Sequence, residues 1–367
     1  DGIRDQPRSR GLGDVYKRQP KWVFKNQCDN IEFIRKNVPR WNFITYNGYN
    51  LREAGTSGVT EMAVAFTNAI DTLKELTGRG HDVDWICERL AFFWDPSMDF
   101  FEEVCRLRAA RRLWYKIMKH QFNAKSPRSM WMRCHVQTSG ISLTREEPLN
   151  NIVRAAYEAL AAVLGGAQSM HVDSYDEAYS VPTEAAALVS VRTQQIIQAE
   201  TGVTEVVDPL GGSFYVEWLT NEIERRILDE IDEMQRLGGI VKVIETGWIH
   251  KKIADYAYKE QRKIEEGVIK IAGLNYFRAA DVKLPEIDVF RYPEGVEERQ
   301  RKKLQKIREE RDNKEVQARL DELTRAARRG EPIIEYCIEC ARAMCTEGEM
   351  FKALKEAWGT WRPPAYW

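Results

Sequence analysis

The 367-residue sequence predicts an α/β protein built on a parallel sheet. Three observations carry that prediction. Four short apolar runs alternate with longer segments of helical spacing. Hydrophobic residues make up 43% and charged residues 30%, which suits a packed globular core. Polar residues gather just after each apolar run. Such alternation implies parallel pairing through right-handed crossovers. Four units suit half of a (β/α)8 barrel or a doubly wound sheet. No G-x-G-x-x-G turn follows any run, which weakens the dinucleotide-binding option.

Asp1 to Gln19 is rich in Arg, Asp and Gly and lacks an apolar period. Residues 1–19 are therefore expected to be a foreign segment of assembly origin, with a disordered native arm as the alternative. Ile31, Phe33 and Ile34 mark a helix over 29–37, ended near Pro39. The aromatic and β-branched run WNFITYNGY reads as a buried strand. From Thr60 to Leu76, Met62, Ala65, Phe66, Ala69, Ile70 and Leu73 recur at three- and four-residue steps, and Gly78 suits the stop. RLAFFW (89–94) is the second strand, followed by a helix over 99–119. SMWMRCHV (129–136) is the third, followed by a helix over 147–164. AQSMHV (167–172) is the fourth, followed by a helix over 183–200.

Asp208-Pro209 and Gly211-Gly212 are turn-forming pairs. A long helix is expected over 217–237, and VIKIAGLNYF (268–277) as a further strand. From Val296 to Glu331 opposite charges recur at helical spacing, which predicts a solvated helical arm; a partner-embracing arm is the alternative. A helix pair closes the chain.

Lys and Arg number 55, Asp and Glu 56, and the net charge is −1. That balance gives no support to nucleic-acid binding, which favours a basic face. No apolar run approaches the ~20 residues that cross a bilayer, and the polar first residues do not form a signal peptide. Seven cysteines, odd in number and mostly far apart, point to reduced thiols and a cytoplasmic location. Cys337, Cys340 and Cys345 lie inside a helical pattern with no following His, so packing is expected and no metal site.

The candidate site lies at the strand ends, where a barrel places its chemistry. Tyr49, Asn50 and Glu53 follow the first strand and Asp95 the second. His135, Gln137, Thr138 and Ser139 stand at the third, and His171, Asp173, Asp176 and Glu177 at the fourth. His135 and His171 fit a structural or a functional role equally. Asp173 and Glu177 suit acid–base work or acceptance of sugar hydroxyls. No Ser-His-Asp order, no H-E-x-x-H and no phosphate-cradling loop is present.

Several blocks carry a resemblance: GYNLREAG (48–55), RLAFFW, RCHVQTSGISLT (133–144), EPLNNIVRAAYEALAAVLGGAQSMHVDSYDEA (147–178) and DPLGGSFYVE (208–217). They resemble the large, catalytic subunit of the cobalamin-dependent acyl-CoA mutases, the methylmalonyl-CoA mutase family. The similarity runs in order from about Pro20 to the C-terminus. The ending WRPPAYW resembles that of large subunits whose cobalamin-binding domain is a separate chain. The resemblance implies a (β/α)8 TIM barrel threaded by coenzyme A and capped at its C-terminal rim by adenosylcobalamin, whose cobalt a partner chain ligates. It implies a radical 1,2-rearrangement of an acyl-CoA thioester begun by Co–C homolysis, methylmalonyl-CoA/succinyl-CoA being the default pair. A sister mutase for another branched, hydroxy- or aryl-acyl-CoA is one alternative. A non-catalytic paralogue that binds a partner or coenzyme A is another.

By resemblance, Tyr49 and Asn50 are the catalytic candidates. Asn50 stands where methylmalonyl-type enzymes have a His, so it could donate a hydrogen bond but not act as an acid. Glu53, His135, Gln137, Asp173 and Glu177 would hold the cofactor, the last two at its ribose. Arg89 would contact coenzyme A and Phe93 the substrate channel. Ala91 replaces a family Ser, Ile141 a Trp and Asp173 an Asn; these departures put the acyl group in question more than the fold. The family's first barrel strands are expected to precede Pro20 and to be absent. Residues 20–290 would then be the C-terminal half of a barrel, and 291–367 a charged helical arm and C-terminal helices. A small cobalamin-binding subunit and a GTPase chaperone are the implied partners, with no nucleic acid and no membrane. Alone, the fragment is expected to be inactive.

Overall fold

The structure is a computed structural model that describes residues 19–278 and 287–364; most of the expected foreign segment, 1–18, lies outside the described residues. The elements in order are α1 (Pro20–Asn37), β1 (Ile44–Asn47), α2 (Tyr49–Glu53), α3 (Gly58–Gly78), α4 (Val83–Cys87), β2 (Leu90–Trp94), α5 (Phe100–Lys116), α6 (Pro127–Met130), β3 (Cys134–Gln137), α7 (Asn150–Leu164) and β4 (Ser169–His171). They continue with α8 (Glu184–Glu200), α9 (Phe214–Arg236), α10 (Gly239–Glu245), α11 (Trp248–Glu265), α12 (Val296–Glu310), α13 (Asn313–Arg329), α14 (Ile334–Arg342) and α15 (Glu347–Trp358).

Residues 44–243 with 247–290 form one unit, and 19–43 with 244–246 and 291–364 form another. The first boundary between them falls at residue 44 rather than 20, and the last falls at 291. Helix α1 groups with the C-terminal helices because Trp22 stacks on Trp358, with ring centroids 5.8 Å apart.

In the larger unit the strands pair in parallel in the order β1-β2-β3-β4. The register aligns Asn47, Phe93, His135 and Ser169 across the sheet. Burial alternates along β1, β2 and β3. Tyr46, Phe92, Trp94, Cys134 and Val136 are buried. Phe66 of α3 and Trp114 of α5 meet Phe92 edge to face at 5.1 and 4.9 Å. The opposite face carries Thr45, Asn47, Ala91, Phe93, His135, Gln137, Ser169 and His171, all half-buried or exposed. Parallel sheets are normally covered on both faces. This second face is open among the described residues, and it leads to the site.

Helix α3 is capped by the Ser57 hydroxyl, which accepts from Thr60 N, and it buries most of its length. Helix α9 packs on α3 and α5. Arg108 fixes its start by pairing with Asp208 at 2.8 Å and Glu217 at 2.7 Å.

Three expectations are corrected. VIKIAGLNYF forms no strand; Ala272 and Tyr276 make one isolated bridge around the left-handed Gly273. The third strand starts later than expected, because Pro127 opens the short helix α6. The charged arm is solvated only in its first half. Helix α12 buries nothing and carries Glu297–Arg301 and Glu298–Lys302 pairs, whereas α13 buries Val316, Leu323, Ala326 and Ala327. Its charges flank an apolar stripe that Cys340, Cys345 and Leu354 cover. Among the described residues no helix is long and apolar enough to cross a membrane, and no three His, Cys, Asp or Glu side chains converge as a metal site.

Candidate functional site at the strand tips

The C-terminal ends of the four strands lie side by side, so the residues after them share one rim. Gly48 makes the first turn possible. A Cβ there would lie 2.7 Å from Glu61 Cγ and 3.0 Å from Trp94, so only glycine lets α2 begin directly after β1. That places Tyr49 over Phe93, with rings stacked at 5.1 Å and 7°. Phe93 in turn meets His135 at 5.1 Å, and His135 Nδ1 contacts Ser169 Oγ at 2.8 Å.

Gln137 is the hub. Its Nε2 donates to the Tyr49 hydroxyl oxygen at 2.7 Å and to Asp173 Oδ1 at 2.8 Å. Tyr49 therefore keeps its own O–H for another acceptor. His171 Nε2 lies 3.5 Å from Asp173 Oδ1. Asp173 Oδ2 is buried and meets no hydrogen-bond partner among the described residues. Glu53, on α2, accepts from the Ile141 amide at 3.2 Å and from Ser139 Oγ at 3.4 Å.

The tips are held from behind. The Asp95 amide donates to Glu61 Oε1 at 2.9 Å, the Ser139 amide to Glu158 Oε2 at 3.1 Å, and the Asp173 amide to Thr138 Oγ1 at 2.8 Å. Arg106 is fully buried; it donates to the Asp95 carbonyl at 2.7 Å and to Glu103 at 2.9 Å, and it pairs with Glu61.

Burial sets the ionisation of the rim. Together with the charge of Glu177 it pushes the Asp173 carboxyl up to about 8. Burial, then the charges of Asp173 and Glu53, push the Tyr49 phenol far up, so it stays protonated. Burial holds both His135 and His171 below the usual imidazole range. Asp95 and Glu158 are driven well up by burial. The result is an aromatic floor edged by phenol, amide, imidazole and carboxyl groups that donate and accept hydrogen bonds. It can grip hydroxyls and exclude water.

The structure thus brings together Tyr49, Glu53, Phe93, His135, Gln137 and Asp173. Glu177 lies close enough for its charge to act on Asp173. Asn50 is half-buried beside Tyr49, with its backbone N–H donating to Asn47 Oδ1 at 3.3 Å. Arg89 does not join them. It stands four residues before Phe93, roughly 13 Å down the strand. Sequence reasoning missed Glu61, Arg106 and Glu158. Their signal was available: each is an ionisable residue in phase with the buried stripe of its helix.

A parallel sheet backed by helices, with buried carboxyls behind an aromatic, amide-centred rim, makes this an α/β domain. The chain belongs to the methylmalonyl-CoA mutase family, whose model matches residues 13–360. It is 43% identical over 91% of its length to the 2-hydroxyisobutanoyl-CoA mutase large subunit of Aquincola tertiaricarbonis, of which it covers 59%. It is 41% identical over 94% of its length to the methylmalonyl-CoA mutase large subunit of Propionibacterium freudenreichii subsp. shermanii, covering 48%. For the methylmalonyl-CoA mutase of Cereibacter sphaeroides the figures are 40%, 95% and 49%. The chain spans about half the length of the curated relatives it matches.

Proposed function

We propose that the sheet is half of a (β/α)8 barrel and that its rim serves an adenosylcobalamin-dependent acyl-CoA mutase. The observation that carries this reading is the open face of the sheet, which ends at its C-terminal tips in an aromatic rim able to grip hydroxyls. At the N-terminal ends of the strands, Arg111 and Arg133 line a cavity of about 380 Å³ with Trp131 and Gln168. Both guanidinium groups donate to backbone carbonyls of Gly165, Cys87 and Leu90. Neither has a carboxylate partner among the described residues. Arg89, at the same end of β2, would receive the phosphates of coenzyme A. The acyl end would then lie over Phe93, with Asn50 as an amide donor to the thioester carbonyl and the Tyr49 O–H beside it.

The rim fits the nucleoside part of the cofactor. Asp173 Oδ2, buried without a partner among the described residues, would donate its proton to a ribose hydroxyl oxygen, and Glu177 would accept from a ribose hydroxyl. Glu53, His135 and Gln137 would face the corrin. Adenosylcobalamin, when bound, supplies homolytic chemistry. This chain's residues orient the acyl group, keep Tyr49 protonated and exclude water.

The acyl group remains a choice between methylmalonyl-CoA and a sister substrate. Asn50 for His and Ile141 for Trp, together with the 43% identity to a relative named for 2-hydroxyisobutanoyl-CoA, favour a sister substrate. The test combines the full-length large subunit with its cobalamin-binding subunit and adenosylcobalamin. Turnover of one acyl-CoA in a panel of methylmalonyl-, 2-hydroxyisobutanoyl- and other branched thioesters is expected. No turnover and no substrate-dependent paramagnetic signal would leave a non-catalytic paralogue.

A further inference from the structure

Helix α7 presents a polar face to the protein interior. Asn151 and Glu158 are wholly buried and Arg154 nearly so. Asn151 Nδ2 donates to the Thr144 carbonyl at 2.8 Å and to the Tyr175 carbonyl at 3.0 Å, which ties the loop after β3 to the loop after β4. Arg154 donates to Thr144 Oγ1 at 3.0 Å. Two turns along from Asn151, Glu158 Oε2 receives the Ser139 amide.

The loop after β3 carries most of the rim. Gln137 reaches Tyr49 and Asp173, the Thr138 hydroxyl holds the Asp173 amide, and Ser139 and Ile141 hold Glu53. A buried carboxyl is an expensive way to pack a helix against such a loop. The Ser139 amide also has a backbone acceptor, the Pro96 carbonyl at 3.0 Å, so Glu158 is not needed merely to satisfy it. A second acceptor at a different angle restricts how the loop can turn.

We propose that Glu158 is a positioning residue, which sets the loop after β3 so that Gln137, Ser139 and Ile141 meet Tyr49, Glu53 and Asp173. This rests on the rim being the nucleoside-binding site argued above. Glu158 touches no ligand itself; it acts through Ser139. An amide oxygen can replace its carboxylate oxygen, whereas an apolar side chain of similar size cannot.

The experiment uses the full-length large subunit and its Glu158→Gln and Glu158→Leu variants. Ligand-free amide exchange is read at Ser139 and Ile141, with Phe92 as the core reference, alongside calorimetric titration with 5′-deoxyadenosine. Glu158→Leu is expected to speed exchange at Ser139 and Ile141 by about tenfold beyond any change at Phe92, and to weaken nucleoside binding by a similar factor. Glu158→Gln is expected to restore both. Equal acceleration at Phe92, no change at the loop, or failure of Gln to rescue would overturn the proposal. Ser139 has φ −78°, which proline can adopt, so Ser139→Pro removes the amide donor if Glu158→Leu does not fold. Ile141 is then expected to exchange faster; continued protection overturns the proposal. Should the unsubstituted chain ignore the nucleoside, the binding reading falls, and Glu158 is judged on the exchange rates alone.

Discussion

Asp173 concentrates the chemistry of the rim in one side chain. Its carboxyl titrates near 8 in the folded chain and near ~4 when unfolded. Between these values the folded state holds a proton that the unfolded state releases. Its contribution to stability is therefore complete below pH ~4 and is lost as pH rises through about 8. Asp173→Asn is expected to flatten the fall of stability over pH 5–8 by up to about 1.4 kcal/mol per pH unit, measured by urea unfolding. An unchanged slope would show that Asp173 is ionised throughout. Arg106 is the opposite case, a buried cation between Glu61 and Glu103. Arg106→Met leaves two buried acids without their partner and is expected to cost about 3–5 kcal/mol. Pairing it with Glu61→Gln should recover part of that loss in the same unfolding assay.

Among the elements, α15 has the most complete start. Thr346 and Glu349 form a capping box, and Arg311 donates to both Glu349 oxygens, at 2.8 and 2.6 Å. The Arg311 guanidinium holds the Glu349 carboxyl down to about 2. This contribution is present above the ordinary carboxylate range and is lost as pH falls through about 2. Glu349→Ala is expected to destabilise the helical unit by about 1–2 kcal/mol at neutral pH. Its effect should shrink below pH 3, read from helix content by circular dichroism. Helix α14 ends differently. Met344 takes the left-handed position with φ 63°, while the Cys345 amide reaches back to the Cys340 carbonyl at 2.9 Å. This stop brings Cys345 over Cys340, and packing explains that part of the cysteine pattern.

At the scale of the molecule, the four-stranded sheet leaves β1 and β4 as edges and one face open. Backbone groups on such edges and aromatic side chains on such a face invite association. The chain alone is expected to self-associate or to bind apolar dyes, as seen by light scattering and dye fluorescence. A chain that stays monomeric and binds no dye would contradict the half-barrel reading. The exposed aromatics Phe214 and Trp218, at 96% and 60%, add to that expectation.

Much of this architecture was legible in the residues. Apolar periodicity placed the four strands and the helices after them, because burying one face imposes a period of two or near 3.6. Tyr49, Gln137 and Asp173 were legible as rim candidates because parallel strands deliver their tips to one side. VIKIAGLNYF misled because its apolar residues serve a turn that packs without pairing. Helices α4 and α11 went unseen, α11 because only Ile249 and Ile253 are buried in its charged length.

Local chemistry along the chain dictates which segments are strands, where helices start and which polar groups reach the rim. It says nothing of which buried charge meets which backbone amide. The pairing of Glu61 with Asp95, of Glu158 with Ser139, and of α1 with the C-terminal helices depends on contacts between residues distant along the chain. Such partners are chosen by packing in three dimensions, where desolvation makes an unpaired group costly, and no spacing rule records that choice.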